Sequence, residues 1–123
     1  MKPGDIIIKN TEVLTGLMER RFDPILIQII LWVAKNYGLR MSESYREKQH
    51  MNDLHGTQPV RAIDLSYWVY TPETASLISN EINNTWIYDP DRPKMLVSLI
   101  HKTSKGVLHF HIQTSHKTRR RGV

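Results

Sequence analysis

Cysteine is absent from the 123 residues. Disulfides, thiolate metal sites, iron–sulfur clusters and cysteine nucleophiles are therefore excluded. Long apolar runs are lacking too. The longest, Ile25 to Ala34, is broken by Gln28 and has half the ~20 residues a membrane span requires. Met1-Lys2-Pro3-Gly4-Asp5 leads only to Ile6-Ile7-Ile8 before Lys9, short of the ~7–15 apolar residues of a secretory signal. The expectation is a soluble protein with no export signal and no membrane span. Repeats, low-complexity tracts and linkers are also missing, so the chain reads as one domain. Its 40% apolar and 24% charged residues are those of a globular protein. The net charge of +5 owes four charges to Lys117, Arg119, Arg120 and Arg121. The division expected is a nearly neutral domain over residues 1–116 and a basic C-terminal tail over 117–123, suited to a polyanion.

Local signals mark the elements. Asp23-Pro24 is a helix start, since Asp caps free N–H groups and Pro tolerates the first helical position. Gly38 is a stop. Between them Ile25, Ile29, Trp32 and Val33 recur at helical spacing, which makes this helix the expected centre of the core. Thr11 to Arg21 reads as a second helix, and Thr71-Pro72 opens a third that runs to about Trp86. Strands are expected over Leu39–Ser44 and Val60–Ser66, and a hairpin over Met95–His101 and Val107–Thr114 around Thr103-Ser104-Lys105-Gly106. Pro90 and Pro93 mark a loop. This order predicts an α+β fold with a mainly antiparallel sheet packed on helices.

Histidine is plentiful: six in all, four of them from His101 to His116. Strand side chains alternate, so Leu108, Phe110 and Ile112 share the core face, while His109, His111 and Gln113 share the other. Two histidines at i and i+2 lie ~6–7 Å apart, close enough for one to hold a metal and the other to serve its water. In Val60-Arg61-Ala62-Ile63-Asp64-Leu65, Ala62 and Asp64 oppose Ile63 and Leu65. An aspartate within an apolar strand is costly unless exposed, paired or bound to a cation. His55-Gly56 precedes it in a loop that can fold back over the strand end. His, Asp and His from a loop and two strands give three N/O ligands and leave a fourth position open, the pattern of a catalytic zinc site, with other divalent metals also compatible.

These residues resemble the zinc peptidases related to D-Ala-D-Ala carboxypeptidase, the lysostaphin-type enzymes and the hedgehog signalling domain. Ser42-Glu43-Ser44-Tyr45-Arg46 is similar to the family's Ser-x-Tyr-Arg, and His55-Gly56 through Ala62-Ile63-Asp64 to its His…Ala-(Ile/Val)-Asp. Leu108-His109-Phe110-His111 is similar to its closing His-x-His. The resemblance spans Pro24 to Thr114 and is nearest to phage cell-wall lysis enzymes and bacterial murein endopeptidases. Eight residues separate His55 from Asp64, a longer interval than in the carboxypeptidase branch, with Gln58-Pro59 read as a loop insertion. Leu108 stands where that branch often carries an acid.

The resemblance implies Zn2+ held by His55, Asp64 and His111, with His109 as general base and acid. Arg46 would bind a substrate carboxylate or the oxyanion. It implies a peptidase acting on a D-amino-acid-containing peptide of bacterial peptidoglycan, with the basic tail adhering to an anionic wall. Made in the cytoplasm, it would reach the wall by phage-type release or as a virion component. Other assignments stay open. His50 is an alternative first ligand, and a catalytically silent relative or a nucleic-acid-binding or nuclease domain is an alternative function. Against the nucleic-acid reading, the body's basic residues form no stripe. Asp53 reads as a loop or cap residue, His101 as pointing away from His109, and His116 as part of the tail. Trp32 is expected in the core and Arg61 in a structural role, while Trp68 and Tyr70 are expected to line a cleft.

Overall fold

The computed structural model describes residues 1–122. In chain order the elements are β1 (Ile6–Ile8), α1 (Thr11–Glu19), α2 (Pro24–Tyr37), β2 (Leu39–Glu43) and a single 3-10 turn (Leu54–Gly56). They continue with β3 (Ala62–Ser66), α3 (Pro72–Thr85), β4 (Trp86–Ile87), β5 (Ser98–Lys102), β6 (Leu108–Gln113) and β7 (Arg119–Arg120). The fold is α+β, with three helices and a five-stranded sheet ordered β1-β2-β3-β6-β5. Only the edge strand β1 runs parallel to its neighbour; the other pairings in that sheet are antiparallel.

The three helices start as their sequences suggest. Asn10, Asp23 and Thr71 each accept a hydrogen bond from a first-turn backbone N–H, which satisfies donors that the helix cannot. α2 ends at Gly38, whose φ of 75° lies in the left-handed region that favours glycine. One apolar cluster joins Leu26, Ile29 and Val33 of α2 and Ile78 and Ile82 of α3 to Ile63, Leu65, Phe110 and Ile112 of the sheet. Truncating any of these fully buried chains to Ala would cost ~2–5 kcal/mol. This burial fixes the sheet's register, since a one-residue slip would turn the apolar set outward. It thereby sends Asp64, His109 and His111 to the opposite face.

Two features depart from the sequence reading. β1 was not anticipated. Within the segment expected as a basic C-terminal tail, of which Val123 lies outside the described residues, part of the chain is docked: β7 pairs with β4, the Arg121 N–H donates to the Thr85 carbonyl at 2.7 Å, and the Arg120 guanidinium lies 5.7 Å from the Trp86 ring centroid. Thr118 is buried and donates to the Tyr88 carbonyl at 2.7 Å. The cause is tertiary, because backbone groups left open by the end of α3 find partners in residues 119–121. No helix among the described residues is long and apolar enough to cross a membrane.

Candidate metal centre

Antiparallel pairing of β3 and β6 sets Asp64 directly opposite His111 and Ser66 opposite His109. Between Met41 and Glu43 the register of β2 against β3 shifts, so that two steps on β2 match one on β3. This bulge lies where the chain leaves the sheet, and bulges re-aim a strand at such points. Beyond it the side chains of Ser44 and Tyr45 are held in place. The Ser44 hydroxyl donates to the Val13 carbonyl at 2.7 Å, and Arg20 stacks 3.9 Å from the Tyr45 ring centroid. Arg46 is left at the cleft.

The His55 loop returns over this segment. Asp53 organises it. One carboxylate oxygen accepts from the His55 backbone N–H and from His55 Nδ1, both at 3.1 Å. The other accepts from the Gln49 N–H at 3.0 Å and lies 3.4 Å from Arg46 Nε. Burial opposes the ionised form of Asp53. The hydrogen bonds from Gln49 and His55 and the charge of Arg46 outweigh it, and hold the carboxyl well below its ordinary range. Gly56 permits the close approach, since a Cβ there would lie 2.8 Å from the Arg46 carbonyl oxygen and 2.8 Å from the Lys48 nitrogen. Gly56→Ala is expected to force the two segments apart, lowering stability by ~1–3 kcal/mol and weakening metal uptake. Denaturant unfolding and a metal titration of the same variant check both effects.

Inside this frame His55, Asp64 and His111 converge, with one ligand atom from each lying within 4.8 Å of the others. Asp64 Oδ1 is 3.0 Å from His55 Nε2 and 3.0 Å from His111 Nδ1. The remaining ring nitrogens are engaged outward, His55 Nδ1 with Asp53 and His111 Nε2 with Gln113 Oε1 at 3.1 Å. Gln113 Nε2 donates to the Leu96 carbonyl, which turns its amide oxygen toward His111 and makes that oxygen an acceptor. His55 Nε2 and His111 Nδ1 are thus the ring nitrogens that face the Asp64 carboxylate, where either a proton or a cation can bridge them. Burial again opposes ionisation of Asp64, yet the contacts from His111 and His55 prevail and keep its carboxyl well below the ordinary range. Two nitrogens and one oxygen, with their outer partners in place, are a donor set that fits a divalent metal ion.

His109 stands beside this group with Nε2 3.8 Å from Asp64 Oδ2, and its buried Nδ1 has no hydrogen-bond partner among the described residues. Arg46, His50, Asn52 and Leu99 complete a cleft of about 310 Å3 around the centre. His50 is exposed on its rim and outside the ligand group. Asp53 is the loop cap expected, and it also orients His55.

Two expectations are corrected. His101 does not point away from His109: the two are cross-strand partners on β5 and β6, with ring centroids 4.3 Å apart. The turn sets this register. The Thr103 N–H donates to the Val107 carbonyl at 2.8 Å, and Gly106 takes a φ of 79° to close it. Opposed residues in an antiparallel pair share a face. Tyr70, expected at a cleft with Trp68, lines a separate one beside Asn36 and Tyr37, away from the metal group. It packs edge-on against Phe110 with centroids 5.7 Å apart, and its hydroxyl donates to the Gly38 carbonyl. Trp68 is exposed at a neighbouring cleft. Arg61 pairs with Asp23 at 2.8 Å, and Trp32 packs against the core beside Trp86. His116 is exposed and lies away from the metal group. Gln113 is the residue sequence reasoning missed as a site component; its i+2 spacing from His111 on one strand face was the available signal.

Comparison with protein-family models, curated proteins and solved structures found no match to this chain.

Proposed function

We propose that this chain is a zinc-dependent peptidase that hydrolyses a peptide bond in the D-amino-acid-containing stem or cross-link of bacterial peptidoglycan, on a fold of the hedgehog and D-Ala-D-Ala peptidase type. One observation carries the reading. Three segments that resemble that group's motifs, the last more than forty residues from the others, meet at one cleft, with His55, Asp64 and His111 within 4.8 Å and His109 and Arg46 at its edge.

Zinc bound by those three residues would supply a Lewis acid and bring the pKa of water toward about 7. The chain's own residues do the rest. Asp53 and Gln113 hold the two imidazoles in the tautomers that bind metal. His109 takes a proton from the attacking water at Nε2, the nitrogen turned toward the centre, and returns it to the departing amine. Arg46 is tethered by Asp53 at 3.4 Å and by Glu43 at 3.6 Å. Its other N–H groups suit a substrate carboxylate or the carbonyl oxygen that gains charge.

Turbidity of a bacterial wall suspension tests the reading. It should fall with the zinc-loaded protein and hold steady in chelator. Steady turbidity with zinc bound would support a silent relative, and cleavage of DNA or RNA instead would support a nuclease. The docked C-terminal segment gives a separate expectation. Replacing Arg119, Arg120 and Arg121 by Gln should weaken sedimentation with isolated walls at low salt and flatten its salt dependence, because salt screens exposed charges. Hydrolysis of a small soluble peptide should stay unchanged.

A further inference from the structure

The metal centre lies between two other clefts, and their charges differ in kind. On one side, beyond Gln113, a cavity of about 500 Å3 is bordered by Arg61 and Arg92. Both are neutralised, Arg61 by Asp23 at 2.8 Å and Arg92 by Asp89 at 2.9 Å. On the other side a cleft of about 770 Å3 shares Arg46, Asp64 and His109 with the metal cavity and is walled by Lys9, Arg40, Trp68 and Lys105, its Glu43 carboxylate being taken up by Arg46 at 3.6 Å. Among the described residues, Lys9, Arg40 and Lys105 form no ion pair.

Arg40 is also held in place. Its NH1 donates to the Ser66 hydroxyl at 2.7 Å, and its guanidinium lies 5.3 Å from the Trp68 ring centroid. Ser66 is buried, whereas Trp68 is 67% exposed. A large aromatic side chain left in solvent beside an oriented, unpaired guanidinium offers an apolar face next to a fork of free donors. A carboxylate matches that fork in shape and charge.

We infer that the Arg40–Trp68 cleft is a subsite for a carboxylate-bearing D-amino-acid segment of the substrate, with Arg40 gripping the carboxylate and Trp68 covering the adjoining aliphatic chain. The inference rests on the peptidase reading for the nature of the ligand. Binding at this subsite does not require the metal.

Calorimetry on the full chain, with zinc and again after chelation, compares the peptides Ala-D-Glu-Lys and Ala-D-Gln-Lys, which differ in one ionised group. The acidic peptide should bind about tenfold more tightly, with an advantage that shrinks as salt rises. Arg40→Gln should abolish the difference while leaving zinc content intact. Trp68→Ala, at an exposed position that the core does not need, should weaken both peptides and reduce the difference. Equal affinities in the wild type, or a preference that survives Arg40→Gln, would overturn the subsite. If wall hydrolysis is present but the preference is not, the subsite falls and the peptidase reading stands. A preference without hydrolysis would leave the subsite standing and overturn the peptidase reading.

Discussion

Asp64→Ala should purify with no bound zinc where the wild type is expected to carry about one ion per chain, and should lose all metal-dependent activity with it. Asp64 Oδ1 is the atom on which His55 Nε2 and His111 Nδ1 both converge, each at 3.0 Å. Its loss leaves two neutral imidazoles and no charge to offset the cation's desolvation. His55→Ala and His111→Ala should behave alike, whereas His50→Ala, altered on the exposed rim, should keep its zinc. Substitution of the outer partners is expected to be milder: Asp53→Ala or Gln113→Ala should cost ~10–100-fold in metal affinity, the usual effect of freeing a ligand ring. Elemental analysis and competitive titration on the same preparations measure both. Full zinc in His55→Ala and His111→Ala would place the metal elsewhere.

The second large effect isolates His109. His109→Ala should retain zinc and fold while turnover falls by ~10²–10⁴, the contribution of a positioned acid–base group. Its ring borders the ligand group without joining it, with Nε2 3.8 Å from Asp64 Oδ2. A merely solvated strand histidine would leave the rate unchanged. Peptide hydrolysis by zinc-loaded wild type and variant, with metal assayed on the same samples, separates the cases. Loss of zinc in the variant would make His109 a ligand.

Much of this site was legible because it depends on short-range periodicity. The period of two in Leu108–Gln113 put Phe110 and Ile112 in the core and His109 and His111 outside it, and the buried aspartate in an apolar strand marked the partner. Asp23-Pro24 and Gly38 bounded α2 for equally local reasons. Less legible was whatever depended on distant pairing. Ile6–Ile8 lies largely exposed on a parallel edge, so no alternation announced it. The docking of residues 119–121 needs Trp86 and the end of α3 to be in place first. The side His101 faces follows from hairpin register, which is set by the turn between Thr103 and Val107 and is not specified by composition alone. Asp53 as the brace of His55, and Gln113 as the brace of His111, emerged only once the loop and strand were brought together.

The most direct test of the central claim is the release of new free amino groups from purified peptidoglycan by the zinc-loaded chain. We expect amines to appear in step with added protein, to cease on chelation, to return when zinc is restored, and to be absent with Asp64→Ala. New reducing sugar ends without amines, or no product from a chain shown to hold its zinc, would contradict it.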